Sequence, residues 1–457
     1  MAENNAPLSL DNDHPLDRSV RPTNVRFLIL CLGCVTSFLL YAHRATWNFV
    51  GPELEQSYGF DRKEISLLYS CFSITYGTLP IPLGVLCDSV GPYLFLAAII
   101  FLWSLALGLQ GWVTSIFGLA AVRVTFGAAQ SGCYPALSKV TYSWFPPSSR
   151  TVMQGLIASF SGRIGGAVSP ILLGTILMGY CGLSWQMSLL IMAVVGFAFG
   201  GVFLWLFRDS PESDSRVNDA ERHLIAEGRA PATPSATRAV LPWSKALKNR
   251  SMVLFLTQQA MNAGVDTFYM AFLGDYFLNA KGYDIKAAGL LTSIPLWGGA
   301  LGGLMGGFCN DFLIRRTGSR RRARSTVAFI GFFIGSLMIF LVSELDNGVA
   351  AACALFGAKL FIDTTQPTVW GTCTDLGGRF SATVLGIINT AGMVGGLAVP
   401  VIFGFILDAN TIAKVVEGET VRIPNYQPVL IVIAVAYVLS ACCWLFIDCS
   451  KSLDQDD

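Results

Sequence analysis

"RIGGAVSPILLG" (Arg163–Gly174) and "MVGGLAVPVIFG" (Met393–Gly404) are the two stretches on which the fold of this chain turns. Laid over one another, Gly165, Gly166, Pro170 and Gly174 fall on Gly395, Gly396, Pro400 and Gly404, at an offset of 230 residues. A second pair, Gly84 and Asp88, falls on Gly307 and Asp311 at an offset of 223. Single glycines and prolines recur by chance in apolar helices. Two matches at similar offsets, in corresponding segments of two halves, mark an internal duplication.

The duplicated unit is built for lipid. Hydrophobic residues make up 53% of the chain and charged residues 13%, with a mean hydropathy of +0.55, whereas a soluble globular chain is about a quarter charged. A net charge of +1 offers no clustered basic face, so no nucleic-acid partner is expected. The polar start, "MAENNAPLSLDNDHPLDRSVRPTN", lacks the apolar stretch and small-residue cleavage site of a secretory signal, and none is expected. The 12 cysteines sit singly or in pairs in apolar runs, as at Cys31, Cys34, Cys71, Cys442 and Cys443. They have no metal-ligand spacing and read as small buried side chains, so neither a metal nor another cofactor is expected.

Windows of about 20 mainly apolar residues give twelve spans: 27–50, 64–86, 93–111, 116–140, 152–178, 186–207, 251–278, 286–312, 325–343, 349–372, 383–407 and 428–448. The expectation is an all-α membrane protein whose twelve transmembrane helices form two pseudo-symmetric six-helix bundles. These bundles cover 27–207 and 251–448, with a linker at 208–250 and tails at 1–26 and 449–457. Many spans carry Gly, Pro and polar residues, so several helices must face protein or a wet cavity.

Basic residues orient the spans. Arg18, Arg21 and Arg26 precede the first span; Lys245, Lys248 and Arg250 precede the seventh; "IRRTGSRRRAR" (Ile314–Arg324) follows the eighth. All fall on one side, which the positive-inside rule makes cytoplasmic, together with both termini. Glu53, Glu55 and Asp61 fit the outer side, while the hairpin Asp88–Pro92 has no basic residue and gives no support. The linker is charged, holds Pro211, Pro231 and Pro234, and contains one helical-looking piece, "NDAERHLIAEG". It reads as a connection without a core of its own. With no transit peptide and no N-x-[ST] site in the outer loops, the expected location is a bacterial inner membrane.

Charges inside the spans carry the functional reading. "YAHRATWNFVGP" (Tyr41–Pro52) puts His43 and Arg44 in the first span, where a charge costs at least ~2.5–3.5 kcal/mol. Arg44 either snorkels to the interface or faces a cavity, and helical spacing sets Tyr41, Arg44 and Asn48 on one polar stripe. In the fourth span Arg123, Gly127, Gln130 and Tyr134 share a face; the alternative for Arg123 is an interface arginine. Arg163, among glycines in the fifth, is either an anion ligand or a structural arginine held by carbonyls. Three arginines in one half ask for an anion, because the planar guanidinium fork fits a carboxylate or phosphate. The second half adds Gln258, Asn262, Asp266 and Tyr269 in the seventh span, Asp363, Gln366 and Trp370 in the tenth, and Asn389 in the eleventh. Asp266 and Asp363 read as counter-charges to the arginines, as cation-coupling sites, or as caps near helix breaks. Trp47, Tyr76 and Trp297 read as packing.

At these residues the chain resembles the anion:cation symporter family of the major facilitator superfamily, which includes bacterial sugar-acid permeases and the eukaryotic sialin and vesicular glutamate carriers. The likeness covers about residues 25–448. It is most specific in "GGFCNDFLIRRTGSRRRAR" (Gly306–Arg324) and "RVTFGAAQSGCYPALSKVTYSWFPPSSR" (Arg123–Arg150). "PESDSRVNDAERHLIAEG" (Pro211–Gly228) and "WGTCTDLGGRFSATVLGIINTAGMVGG" (Trp370–Gly396) add to it. The resemblance implies the major facilitator fold, with Arg44 and Arg123 recognising the anion and Thr368, Trp370 and Asn389 contacting substrate. Arg163 stands where the sugar-acid carriers commonly have an uncharged polar residue, which implies a more acidic substrate.

Two departures concern coupling. Proton-coupled members carry Asp-Arg in the first span, where this chain has His43–Arg44, and a glutamate in the fourth, where it has Gln130. Both titrating carboxylates are absent, which leaves His43, Asp266 and Asp363 as coupling candidates, with H+ or Na+ as the ion, or plain anion exchange. "GVLCDSVGPYL" (Gly84–Leu94) keeps Asp88 of the family's conformational motif, matched by Asp311 in the second half, but lacks its basic residues, so a weaker latch is expected.

The leading expectation is a monomeric secondary active transporter of small organic anions, a sugar acid or related carboxylate, working by rocker-switch alternating access and cation-coupled symport. An enzyme is not expected: no G-x-x-x-x-G-K-[ST], haem or flavin motif and no nucleophile–base set is present. One alternative is an organophosphate/phosphate-type antiporter, which "YAHRATWNFVGP" and "AQSGCYP" also resemble, although the seventh span has no arginine after Arg250. The other is a non-transporting sensor, for which the short tails supply no signalling module.

Overall fold

Helix tracks the apolar sequence from Val25 onward. The computed structural model describes residues 21–146, 149, 153–227, 248–377, 381–416 and 419–450. The first half is built from α1 (Val25–Tyr58), α2 (Arg62–Thr78, continued as Pro80–Val90), α3 (Pro92–Leu109), α4 (Ile116–Ser131, continued as Cys133–Trp144), α5 (Met153–Tyr180) and α6 (Trp185–Leu206). The second is built from α7 (Arg250–Thr267, running on in wider turns to Ala280), α8 (Ile285–Thr317), α9 (Arg320–Glu344), α10 (Gly348–Gly377), α11 (Ser381–Ala409) and α12 (Gln427–Phe446).

Among the described residues nine helices are long and apolar enough to cross a membrane, and the bent α2, kinked by 49°, makes ten. The other two segments are helical but polar or broken. Gly132 splits α4 into pieces of 16 and 12 residues, and α7 carries Gln258, Gln259, Asn262 and Asp266. One departure from an all-helical chain lies between α11 and α12. There β1 (Ile412–Val416) pairs antiparallel with β2 (Glu419–Ile423), Ile412 opposite Ile423.

Local chemistry fixes the helix ends. Asp61 Oδ1 accepts from the Glu64 amide (2.7 Å) and Glu64 Oε2 from the Asp61 amide (2.9 Å), a reciprocal cap that starts α2. Gly59, at φ 71°, lets the chain leave α1. Most telling is Glu221, in the short linker helix Asp219–Ala226. Its carboxylate is fully buried and accepts from Thr23 Oγ1 (2.6 Å), Val25 N (3.2 Å) and Arg26 N (3.1 Å). An acidic group 196 residues away thus caps the positive end of α1. Asp209 does likewise for α3, accepting from Tyr93 N at 2.7 Å.

The duplicated stretches do the same job in both halves. A Cβ on Gly165 would overlap the backbone of Phe38, and one on Gly395 the backbone of Ala260. These glycines therefore let α5 close on α1 and α11 on α7. Across the molecule α5 meets α8, where Thr175 Oγ1 donates to Lys286 O (2.8 Å), and α2 meets α11, where Ser70 Oγ donates to Leu397 O (2.9 Å). A cavity is left where these paired helices splay.

Candidate functional site

The cavity between the halves measures about 720 Å³, within the roughly 300–1,000 Å³ of small-molecule sites. The first half lines it with residues of α1, α2, α4 and α5, the second with residues of α7, α10 and α11. It runs from Arg44 and Asp266 toward the end where the linker lies, reaching Ser138, Thr141 and Gln154. The opposite end is shut. There Arg62 of α2 pairs with Asp275 of α7 (2.5 Å) and Glu55 (3.0 Å), Tyr426 donates to Asp275, and Lys63 pairs with Asp408 (2.7 Å).

Arg44 is the cation on the first-half wall. Its guanidinium carbon sits 4.0 Å from the Tyr76 ring centre, 4.9 Å from Tyr41 and 5.1 Å from Phe72. Its Nε donates to Gln130 Oε1 at 3.2 Å, and Gln130 in turn donates to Leu40 O at 3.1 Å. Gln130 thus aims the arginine and does not itself line the cavity. Arg44 Nη2 is buried without a hydrogen-bond partner, and among the described residues no carboxylate pairs with the side chain. Stacking on rings is worth about 0.5–2 kcal/mol per contact; it steadies the group and leaves its charge uncompensated.

The other first-half candidates are placed differently. Arg123, 1% exposed, lies off the cavity in a cage of Trp47 (4.0 Å), Phe72 (5.0 Å), Tyr69 and Phe126, with Nε donating to Leu68 O at 3.3 Å. It shares the Phe72 ring with Arg44. Tyr41 and Tyr134 line the cavity, and the Tyr134 hydroxyl lies 2.9 Å from Ser37 Oγ. Asn48, one turn beyond Arg44 toward the shut end, does not line the cavity. Its amide instead clasps the second half, donating to Met270 O (3.1 Å) and accepting from Gly274 N (3.1 Å). His43 points away from the cavity, against Gly196 of α6 and beside Ser104 of α3.

Arg163 belongs to a four-charge cluster. It pairs with Asp363 and donates to Gly299 O at 2.8 Å; Lys359 pairs with Asp266 and, at 3.2 Å, with Asp363. Gly299 supplies the room, since a Cβ there would meet Asp363 Oδ2, Lys359 Cγ and Arg163 Nη1. The cluster joins α5 of one half to α7 and α10 of the other and sums to zero charge. Lys359 escaped the sequence reading, although its i,i+4 spacing to Asp363 in an apolar span was the available signal.

On the second-half wall, Asp266, Trp370 and Asn389 line the cavity, joined by Gln259, which the sequence reading did not select. Gln258, Asn262, Gln366 and Thr368 do not line it. Gln258, Asn262 and Thr368 are buried, with side-chain polar atoms lacking partners among the described residues. Asp311 is exposed near the linker end of α8, and the side chain of Asp88 is outside the described residues. The arginine-rich loop is held by Asp375, which takes Arg324 (2.9 Å) and Arg320 (3.2 Å), and by Asp448, which takes Arg321 (3.0 Å).

Comparison with known proteins gives a match to the family described as Major Facilitator Superfamily over residues 32–400. The "Probable sulfoacetate transporter SauU" of Cupriavidus necator is 28% identical over 385 residues, 84% of this chain and 87% of that protein. The "Probable galactarate/D-glucarate transporter GarP" of Escherichia coli K12 is 25% identical over 460 residues, 94% of this chain and 96% of that protein. Among solved structures, a bacterial homolog of the human lysosomal transporter Spinster, inward-facing and unoccupied, superposes with a TM-score of 0.69 at 16% identity, covering 93% of this chain and 95% of that one. The nucleoside transporter NupG gives 0.65 at 16% identity, covering 93% and 99%. Both share the fold.

Proposed function

Because the chain belongs to the Major Facilitator Superfamily, we propose that it is a secondary active transporter of small organic anions, carrying a sugar acid or a related carboxylate or sulfonate. The observation that carries this reading is Arg44, a buried guanidinium stacked on three rings, unpaired by any described carboxylate, on the wall of a cavity sized for a small molecule. An anion is the ligand that such a group lacks. Relatives named for sulfoacetate and for galactarate and glucarate support the same class.

Transport is by alternating access of two six-helix units, 27–207 and 251–448, joined at 208–250. The closure of one end by Arg62 and Asp275, with the cavity reaching the other, is the arrangement such a cycle requires. Arg44 binds the acid group, with Tyr41, Tyr134, Trp370, Asn389 and Gln259 around the rest of the substrate. Arg123 acts from behind Phe72, through the field it adds to Arg44. Asp266 and Asp363 are the coupling candidates in reach of the cavity and its cluster; His43 lies away from both. The carrier sits in a bacterial cytoplasmic membrane with both termini inside, as a monomer. An organophosphate antiporter is disfavoured, because the second-half wall meets the cavity with the acidic Asp266 where a second arginine would be needed.

The test is thermal unfolding of the purified protein in detergent against sugar acids, sulfoacetate, dicarboxylates, acidic amino acids and phosphate esters. A ligand of the folded state alone stabilises it by about 2.7 kcal/mol at a hundredfold excess over Kd. Stabilisation by a sugar acid or sulfoacetate is the expected result. Stabilisation by phosphate esters alone would move the assignment to the antiporter, and none by any anion would remove the anion reading.

A further inference from the structure

The hairpin between α8 and α9 holds charge that the central cavity does not use. Gly318, at φ 63°, ends α8 and Ser319 caps α9, so only these two residues separate the helices. Around that turn stand Arg315, Arg316, Arg320, Arg321, Arg322 and Arg324. Asp375 takes Arg320 and Arg324, and Asp448 takes Arg321. Arg315, Arg316 and Arg322 are exposed and, among the described residues, pair with no carboxylate; Arg315 Nε donates to the backbone oxygen of Asp311 at 3.4 Å. Six arginines thus meet three aspartates, Asp311 included, and a positive excess remains. Arg322 holds the third position of α9, where the helix end is itself positive. The matching hairpin of the first half, Asp88–Pro92, has no basic residue, so the two halves differ here.

Away from the turn, each helix carries an exposed apolar row that leads to one of the unpaired arginines. On α8 the row is Leu301, Leu304, Phe308 and Phe312, with Phe308 79% exposed, and Arg315 continues it at helical spacing. It lies opposite Gly299, Gly302 and Gly306, which close on α10. On α9 the row is Ile330, Phe333, Leu337 and Phe340, headed by Arg322 two turns before Ile330. It too lies opposite glycines that close on α10, Gly331 and Gly335. Both helices are long and apolar enough to span a membrane. Such rows meet acyl chains, and arginines at their ends stand at the level of lipid phosphates.

We propose that the α8–α9 hairpin binds an anionic phospholipid of the linker-side leaflet, its phosphate on Arg315, Arg316 and Arg322 and its acyl chains along the two rows. The guanidinium fork fits the paired oxygens of a phosphate. A zwitterionic lipid brings a cation that offsets this attraction and fits less well. The site lies apart from the cavity, and its occupant does not depend on the solute carried there.

The experiment titrates the whole protein in detergent with phosphatidylglycerol or with phosphatidylcholine of the same acyl chains, and reads bound lipid by native mass spectrometry. Glycerol 3-phosphate serves as the headgroup without chains. The expected result is one phosphatidylglycerol held more tightly than phosphatidylcholine, and no comparable binding of glycerol 3-phosphate. In Arg315→Gln/Arg316→Gln/Arg322→Gln the preference falls by about fivefold for each arginine removed. Because the three side chains are exposed, the lipid-free protein is expected to melt within a few degrees of the parent.

Equal binding of the two lipids by the unaltered protein, a measurement that needs no variant, overturns the inference. A preference unchanged in the folded triple variant overturns it equally, since the attraction then comes from elsewhere on the surface. Glycerol 3-phosphate bound as tightly as the lipid would make the ligand a free phosphate, and the lipid assignment would fall.

Discussion

Arg44→Ala is expected to weaken binding of every anionic ligand by about 30- to 5,000-fold, the roughly 2–5 kcal/mol lost when a desolvated charge pair loses a partner. The empty protein is expected to melt within a few degrees of the parent. The second half of this expectation separates function from structure. In the empty site Arg44 Nη2 is buried and unpartnered, which costs stability, while its ring contacts contribute about 0.5–2 kcal/mol each. Removing the side chain removes both terms. A structural arginine would behave in reverse, with melting collapsing alongside binding. Arg44→Lys keeps the charge but not the planar fork or the stacking, so an intermediate affinity is expected. The measurement is the ligand-induced melting shift in each variant; a full shift in Arg44→Ala would remove this residue from the site.

Asp363→Ala is expected to destabilise the protein by about 3–5 kcal/mol, the cost of breaking a buried ion pair from one side. Its carboxylate holds Arg163 from the other half and shares Lys359 with Asp266. Without it a positive charge remains in a buried site with no counter-charge. Removing Arg163 as well leaves Lys359 and Asp266, a neutral pair. The double variant Arg163→Ala/Asp363→Ala should therefore recover much of the loss, with a coupling of about 0.5–3 kcal/mol in the cycle. Denaturant unfolding of the two single variants and the double variant reads this directly. If the double variant is no more stable than Asp363→Ala, the pair across the halves is not what holds this carboxylate.

The fold was legible because lipid imposes a coarse rule on sequence, and the duplicated glycines needed no partner to be recognised. Each marks a place where two backbones approach, and both halves repeat it at Gly165 and Gly395. α4 and α7 read less clearly in the structure as spans because polar residues and a break at Gly132 dilute them. The site was legible to the extent that one helix encodes it. Arg44 and Tyr41 share a face of α1 and both line the cavity.

Other residues depend on partners that no single helix reveals. The cage around Arg123 comes from α1, α2 and α4 together. Asn48 is kept from the cavity by the second half, whose Met270 and Gly274 backbone groups take its amide. His43, next to Arg44, is turned by about 100° around the helix and so faces α6. Lys359 acquires its role from Asp266, 93 residues earlier. Spacing along one span cannot show such a pairing.

The cap on α1 has a consequence for how the chain is made. Glu221 emerges from the ribosome 196 residues after Val25, whose amide it holds. At about 5–20 residues per second, that is a wait of roughly 10–40 s. All six helices of the first half are synthesised in that interval, while the start of α1 has no acidic cap. The linker helix can therefore cap α1 only once all six helices of the first half have been made, and it is available to do so before the second half is synthesised.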